Sequence, residues 1–258
     1  MESSSTSARR RLLVLIGSGP GIGIATASLF ASKGFSVALL SRNAERLEES
    51  AIKVRTLVAS EVQSVETFPV DASDHAALRT ALEAVHAALG PPEVVVYNAA
   101  RVGPSQFGAF VPDELLDDFK LNGVGLYVAA AWAMPYLAEL ASQKGGEEEK
   151  ALCRPSFLLS GSGINYKPIP QLFSLSMQKA AQANLLKSLE HMYGPKGVHV
   201  ARLDINGFVR EDDDTMAPAR CAEQHWRLSQ QQQKDWDQVV DVGDMDALIE
   251  AMKAQGMM

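Results

Sequence analysis

Three glycines near the start of the chain have a spacing that suits the binding of a phosphate group. Gly17, Gly21 and Gly23 follow the apolar run LLVLI and precede a segment with the pattern of a helix. Glycine lets the backbone turn sharply and approach a ligand closely, and a helix N-terminus offers unpaired N–H groups and a partial positive charge. A second apolar run, SVALLS, follows the helix. The segment therefore predicts a strand-turn-helix-strand unit that cradles the pyrophosphate of a dinucleotide.

The end of the second predicted strand indicates which dinucleotide would bind. An acidic side chain there would bond to the ribose hydroxyls of NAD and repel a 2′-phosphate, but this chain has Ser41 and Arg42. Arg42 follows Gly23 by about 20 positions, which is the separation expected for the residue that reads the ribose. We therefore predict NADP(H) as the cofactor. The alternative is an arginine that is merely solvated at the strand end.

The rest of the chain alternates between apolar runs and amphipathic segments. VETFP, VVVY, SFLLSG and HVARLDIN are predicted strands, and helices are predicted between them, one opened by Asp74 and one over residues 113–142. Runs that are apolar on both faces are typical of a parallel sheet covered by helices on both sides. We predict a single doubly wound α/β domain of the Rossmann type over residues 11–258, preceded by a disordered tail, residues 1–10. A substrate-loop region is predicted around residues 206–236, with a helix around Pro218 to Gln231 inside it.

Further segments resemble the short-chain dehydrogenase/reductase family, from Leu12 to about Val209. Asp71 in PVDAS matches the aspartate that contacts adenine in that family, and YNAA, residues 97–100, is similar to its N-N-A-G motif. The resemblance implies an oxidoreductase. Together with the glycine cradle, it implies cofactor contacts from Gly17, Ser18, Gly21, Ile22, Gly23, Ser41, Arg42, Asp71, Ala72, Asn98, Ala99, Ala100, Lys179 and Val209.

The resemblance also implies a catalytic set of which one member is absent. Asn122 in KLNGVG matches the helix asparagine that holds a proton-relay water, and Ser162 in SGSG matches the serine that bonds to the substrate carbonyl. The family then carries tyrosine and lysine one helical turn apart. Lys179 matches the lysine, but Leu175 occupies the position of the tyrosine, which is the proton donor. The predicted catalytic residues are therefore Asn122, Ser162 and Lys179.

The missing acid leaves three interpretations open. Loss of a positioned general acid typically costs a factor of about 10² to 10⁴ in rate. The substrate could need no proton from tyrosine, or could take one from water, from Lys179 or from Tyr166. The fold could instead serve a non-redox reaction, or the protein could bind a nucleotide as a sensor or scaffold without turnover.

The predicted substrate region is mostly apolar. Ligands of open parallel sheets bind beyond the carboxyl ends of the strands, so the segments after Ser162 and after Asn206 should frame the substrate. Substrate contacts are predicted from Ser162, Tyr166 and Phe208, and the surroundings favour a hydrophobic carbonyl compound. The alternative is that these side chains are packed beneath a lid. The apolar side chains in these segments are Ile164, Ile169, Leu172, Phe173 and Phe208.

Composition narrows the partners. A net charge of −7 argues against nucleic acid, and no run of eighteen apolar residues predicts a membrane span. The two cysteines, Cys153 and Cys221, and the absence of a signal-peptide pattern predict a cytoplasmic location. The histidines and cysteines show no metal-ligand spacing, so no metal is predicted. The resemblance implies a homodimer or homotetramer formed by the helices that start near Asp113 and Ser176.

Overall fold

Helices and strands alternate along the chain as the sequence predicts. The computed structural model describes residues 10–58, 60, 62–143 and 153–257. The predicted tail, apart from Arg10, and the polar segment KGGEEEK lie outside the described residues. The elements, in chain order, are β1 (Leu12–Ile16), α1 (Ile22–Ser32), β2 (Ser36–Ser41), α2 (Ala44–Arg55), β3 (Val65–Pro69), α3 (His75–Leu89), β4 (Val94–Tyr97), α4 (Pro112–Phe119), α5 (Gly125–Ser142), β5 (Ser156–Gly161), α6 (Phe173–Tyr193), β6 (His199–Asn206), α7 (Pro218–Ser229), β7 (Val239–Gly243) and α8 (Met245–Ala254).

The seven strands form one parallel sheet in the order β3-β2-β1-β4-β5-β6-β7. The chain reverses direction across the sheet after β3, so the strand order changes between β1 and β4. In such a sheet, ligands bind at that switch point, outside the carboxyl ends of the strands. The prediction of a doubly wound Rossmann fold is confirmed.

Two apolar cores cover the two faces of the sheet, because the central strands are buried on both sides. One core packs the sheet against α3, α5 and α6, with Leu82, Trp132 and Leu186 among its members. The other packs it against α1, α2 and α7, with Phe30 and Leu47 among its members. Alternate residues of each strand enter opposite cores, which is why the runs read as continuously apolar.

Local signals position the helix ends. The side chain of Asp74 accepts a hydrogen bond from the N–H of Ala77, so the prediction that this residue opens α3 is confirmed. The predicted helix over residues 113–142 is interrupted by a π-helical turn, Lys120–Val124, between α4 and α5. Single π turns inside helices are frequent at functional sites, and this one contains Asn122.

The sequence did not predict the last strand and helix. β7 lies at the edge of the sheet and is mostly exposed, so it lacks the apolar run that marks the inner strands. Helix α8 follows it directly. Asp244 precedes the helix and caps it, because its side chain accepts a hydrogen bond from the N–H of Ala247. The helix predicted around Pro218 to Gln231, within the substrate-loop region, is confirmed: α7 runs over Pro218–Ser229 and packs on α1.

One helical stretch is long and apolar enough to cross a membrane. It runs over Pro112–Ser142; an 18-residue window within it has a mean hydropathy of 1.3, and 50% of that window is buried in the fold. The prediction from composition that no segment has this property was therefore wrong. The buried half packs on the sheet through residues such as Leu126 and Leu137, as a core helix does, so length and composition alone are weak evidence for a membrane span.

Candidate active site and nucleotide cleft

The glycine turn between β1 and α1 has the close backbone approach that its sequence predicts. Gly17 adopts φ +91°, and a Cβ atom there would lie 2.3 Å from the backbone nitrogen of Ala99. The side-chain amide of Asn98 donates to the Gly17 carbonyl at 2.8 Å and fixes the turn to the end of β4. A Cβ on Gly23 would lie 2.9 Å from the Cα of Ser18. Gly17 is therefore required by the close approach of the chain after β4, and Gly23 by a contact within the turn.

The start of α1 offers the donors that a phosphate needs. Gly21 caps this helix, and Ile22 and Gly23 form its first positions. The N–H groups of a first helical turn have no carbonyl partner within the helix. The hydroxyl of Ser18 is buried beside them and has no hydrogen-bond partner among the described residues. An orphaned buried hydroxyl next to free N–H groups fits the bound phosphate of a dinucleotide.

A cleft of about 290 Å³ lies beside this turn, at the switch point of the sheet. The guanidinium of Arg42 stands exposed at its rim, 3.9 Å from the carboxylate of Asp71. An exposed ion pair at that distance contributes little stability, so Arg42 remains able to bind an anion. The cleft brings together most of the predicted cofactor contacts. Its lining is Ile16, Gly17, Gly19, Leu40, Ser41, Arg42, Val70, Asp71, Ala72, Asn98, Ala99, Ala100 and Leu121.

Lys179 is buried on α6, and its surroundings make its amine more acidic than that of an exposed lysine. Its Nζ donates to the carbonyl of Ser160 at 2.7 Å, close to the end of β5. Burial lowers the pKa of Lys179 to about 8, and the nearby carboxylate of Asp204 partly opposes that shift. An amine with a pKa near the working pH can both hold and release a proton.

Ser162 lies directly after β5, where a short 3₁₀ turn, Gly163–Asn165, begins. Its side chain is half-buried. The position is at the carboxyl end of the sheet, as the sequence predicts, and the carbonyl that receives the Lys179 amine belongs to a residue only two positions earlier. β5 and α6 thus bring two of the three predicted catalytic residues to one end of the sheet.

Asn122 lies at the centre of the π turn and is fully buried. Its amide nitrogen donates to the carbonyl of Asp118 at 2.9 Å, while its side-chain oxygen has no partner among the described residues. Its backbone carbonyl accepts from the side-chain amide of Gln182 at 3.0 Å. A buried polar oxygen without a protein partner normally binds ordered water. This geometry agrees with a water-holding role for Asn122.

Leu175 is buried in an apolar cluster that includes the C-terminal helix. The other buried members are Ile164, Ile169, Met245 and Met252. Met245 contacts the 3₁₀ turn so closely that a Cβ on Gly163 would lie 2.5 Å from its side chain. The leucine at the position of the family's tyrosine is therefore a packing partner within this cluster, at the side of the site where a substrate would be expected.

The predicted substrate contacts have different environments. Tyr166 is mostly exposed, and partial burial followed by the carboxylates of Asp241 and Asp204 raises its pKa. Phe208 is partly buried against the Leu175 cluster, and Val209 is partly buried near the start of α7. The apolar mouth predicted from sequence is thus partly closed by α8, as in the alternative of side chains packed beneath a lid.

Several buried polar residues around the site were not predicted. Asp118 of α4 pairs with Arg101 and accepts a hydrogen bond from the hydroxyl of Ser174 on α6. Asp204 is fully buried in β6, next to Arg202. The sequence offered one signal for the latter, an aspartate within the apolar run of β6. Nothing in the sequence shows that Asp118 is buried, because four of the eight residues in its helix are acidic.

No group of three or more histidine, cysteine, aspartate or glutamate side chains in the described part of the chain could hold a metal ion. The glycine turn, the adjoining cleft and the buried lysine all suit a nicotinamide dinucleotide.

Comparison with known proteins identifies the class. The sequence model of the short chain dehydrogenase family matches residues 11–209. The chain therefore belongs to the short chain dehydrogenase family, and the resemblance seen in its motifs is confirmed. The family and the sheet topology together define an oxidoreductase fold.

The relatives differ in what their names say of activity. A 2,3-dihydro-2,3-dihydroxybenzoate dehydrogenase of Bacillus subtilis is 27% identical over 132 residues, 51% of this chain and 49% of that protein. The human inactive hydroxysteroid dehydrogenase-like protein 1 is 29% identical over 199 residues, 75% of this chain and 54% of that protein. This chain thus aligns with about half the length of these two relatives.

The fold is also that of solved structures in the family. An alcohol dehydrogenase from the archaeon Thermococcus sibiricus, complexed with 5-hydroxy-NADP, superposes with a TM-score of 0.75. The match covers 90% of this chain and 96% of that chain at 18% sequence identity. At that identity the likeness concerns the fold.

Proposed function

We propose that this protein is an NADP(H)-dependent oxidoreductase that acts on a hydrophobic carbonyl, imine or conjugated substrate, with Lys179 in place of tyrosine as the proton donor. The observation that carries the proposal is the intact nucleotide cleft, with Arg42 at its rim and the orphaned hydroxyl of Ser18 in its turn. The buried amine of Lys179 supports the second part, since it lies at the end of β5 and donates to the carbonyl of Ser160, two residues before Ser162.

Each residue has a distinct role in this proposal. The turn at Gly17 and the start of α1 bind the pyrophosphate, and Arg42 binds the 2′-phosphate. The nicotinamide supplies the hydride when the cofactor is bound. Ser162 donates a hydrogen bond that orients the substrate oxygen, and the Lys179 ammonium releases a proton to that oxygen and becomes the neutral amine. Asn122 holds water that returns a proton to the lysine.

The substrate class follows from the apolar surroundings. Ile164 belongs to the 3₁₀ turn that follows Ser162, and Leu172 and Phe208 are in the same apolar cluster. Burying an ionised substrate group against such side chains would cost free energy unless the group was paired. A hydrophobic carbonyl, imine or conjugated acceptor suits this environment better than a phosphorylated sugar.

A nucleotide-binding protein without turnover is the second candidate. The observation that favours it is the burial of Leu175 beneath α8, which leaves the substrate side of the site covered. One similar human protein is named inactive. Steady consumption of NADPH with a panel of apolar ketones, imines and enones supports the enzyme, and tight binding without consumption supports the second candidate.

Arg42→Ala is expected to weaken NADPH binding by about tenfold to a hundredfold, because a charged hydrogen bond to the 2′-phosphate contributes about 1.5–3 kcal/mol. NADH lacks that phosphate, so its affinity should change little. Isothermal titration calorimetry with both nucleotides measures the difference. Arg46→Ala removes an exposed arginine from the adjoining helix α2 and serves as the control. Equal losses for NADPH and NADH would contradict the assignment of Arg42.

We further propose that two copies of the chain associate through an apolar groove between α5 and α6. The groove measures about 250 Å³, and Phe119 and Tyr127 are exposed along it. Exposed large apolar residues that form one patch mark interaction sites. The groove is lined by Phe119, Gly123, Val124, Tyr127, Ala181 and Leu185.

Phe119→Glu is expected to weaken this association at least tenfold. A two-fold interface uses the same surface on both subunits, so the substitution places two like charges in one apolar contact. Analytical ultracentrifugation measures the dissociation. Phe107→Glu introduces the same charge at a more exposed phenylalanine outside the groove and should leave the association unchanged. Equal behaviour of the two variants would overturn the proposed interface.

A further inference from the structure

Hydrogen bonds hold both polar atoms of the peptide group that joins Ser162 to Gly163. Two sets of side chains from β6, β7 and the 3₁₀ turn converge on this peptide group, one on its carbonyl and one on its N–H. We call these five residues the Ser162 clamp. Its members are Asn165, Arg202, Asp204, Asn206 and Asp241.

The first arm of the clamp holds the carbonyl of Ser162. The side-chain amide of Asn165 donates to this carbonyl at 2.7 Å. The same amide lies 3.2 Å from a carboxylate oxygen of Asp204. Arg202 in turn donates from Nε to both oxygens of that carboxylate at 3.0 Å. The amide of Asn165 therefore has a fixed orientation, because a charged pair anchors its far side.

Asp204 fits this place because the residue opposite it on β5, Gly161, has no side chain. A Cβ on Gly161 would lie 2.3 Å from the Asp204 carboxylate, and the two residues are in register between β5 and β6. Asp204 is fully buried, and burial is the main reason that its pKa is raised. Separating a buried charge from its partner costs far more free energy than separating an exposed ion pair. The arm therefore has one stable arrangement.

The second arm holds the N–H that follows Ser162. The backbone N–H of Gly163 donates to the side-chain oxygen of Asn206 at 2.7 Å, and the amide of Asn206 donates to the carboxylate of Asp241 at 2.7 Å. Asn206 is buried, and Asp241 is in register with Asp204 across β6 and β7. The oxygen and nitrogen of this amide thus have different partners, which fixes its orientation.

We infer that the Ser162 clamp positions Ser162 for the substrate oxygen, so that Asn165, Asp204, Asn206 and Asp241 are positioning residues. The inference rests on the proposed role of Ser162. With leucine at position 175, no tyrosine hydroxyl helps to orient the substrate oxygen. The site then depends on the direction of the Ser162 side chain, and the clamp restricts that direction because it fixes the plane of the peptide group that follows Ser162. Small errors in such an orientation reduce rate strongly.

An exchange of the amide and the carboxylate tests the second arm. Asn206→Asp keeps an acceptor for the Gly163 N–H, but it removes the donor to Asp241 and places two carboxylates together. The double variant N206D/D241N restores one carboxylate and one amide in swapped positions, with the original net charge. Asn184→Asp makes the same change at an exposed position of α6 and is the matched control.

Hydrogen exchange tests the clamp without any substrate. In Asn206→Asp, the amides of residues 161–166 should exchange about threefold to tenfold faster, which is the range expected from the loss of one or two hydrogen bonds. The double variant should return to the wild-type rate, and the control should not change. Unchanged exchange in Asn206→Asp, or no recovery in the double variant, would overturn the clamp.

Kinetics then test the positioning role. With a substrate that the wild type reduces, Asn206→Asp should lower kcat by about tenfold to a hundredfold, leave the NADPH affinity unchanged, and recover in the double variant. A fall in thermal stability without a fall in kcat would show a structural role only and would overturn the inference. If the wild type reduces no substrate, the proposed function fails, while the exchange result still decides whether the clamp exists.

Discussion

Leu175→Tyr is expected to raise ketone reduction once room is made for the ring. The gain should stay below the factor of about 10² to 10⁴ that a positioned general acid usually contributes, because Lys179 already donates a proton in the proposed mechanism. Leu175 lies in a closed apolar cluster with Met252 of α8. A tyrosine is larger and brings a hydroxyl, and extra volume in a packed cluster typically costs about 1–3 kcal/mol. The double variant Leu175→Tyr with Met252→Ala therefore provides the space, and Leu175→Tyr alone should show a smaller gain.

The matched control isolates the hydroxyl. Leu175→Phe with Met252→Ala fills nearly the same volume without an acid. We expect NADPH consumption with an apolar ketone to rise in the tyrosine double variant and to remain at the wild-type level in the phenylalanine double variant. An equal rise in both would mean that opening the cluster, and not the proton donor, limits the reaction. No rise in either, with NADPH bound, would contradict the assignment of Leu175 to the acid position.

Lys179→Met is expected to abolish most turnover, by a factor of about 10² or more if the ammonium is the acid. Methionine has a similar length and suits a buried position, so the variant should fold. Lys187→Met, at an exposed position of the same helix, is the control and should keep full activity. Retained turnover in Lys179→Met would contradict the proposed proton donor.

The pH dependence of Lys179 gives a second test with a defined sign. Because its pKa is lowered to about 8 from the ordinary 10.5, the folded chain holds this proton less tightly than the unfolded chain. The free energy of unfolding should therefore rise with pH between about 8 and 10.5 relative to Lys179→Met. Turnover that needs the ammonium should fall as the pH rises through about 8, because the amine loses its proton there. Denaturant unfolding of both proteins measures the first effect.

Local patterns account for the part of the fold that the sequence predicted. The cap at Asp74 depends on residues close in sequence, the glycines of the first turn have a recognisable spacing, and the inner strands are apolar on both faces. The edge strand β7 is mostly exposed, so it lacks the continuous apolar run that predicts the inner strands. Helix α8 owes its place to contacts with Leu175 and Ile164, which are distant in sequence.

The candidate site was predictable only where the motifs of the family reach. The motifs single out Ser162, Lys179 and Asn122 in the sequence. The partners that hold them depend on strand register, since Asp204 faces Gly161 only because β5 and β6 pair in one particular way. The cover over Leu175 depends on the path of the chain after β7. Neither feature has a local pattern that a single sequence could show.

The central claim is that the nucleotide cleft remains functional although the tyrosine is absent. Calorimetric titration of the wild-type protein with NADPH and with NADH tests it most directly. We expect one NADPH bound per chain, with a higher affinity than NADH because Arg42 stands at the rim of the cleft. If neither nucleotide produces heat or a saturating signal, the assignment of the glycine turn to a phosphate is contradicted, and both the reductase and the silent nucleotide-binding protein must be abandoned.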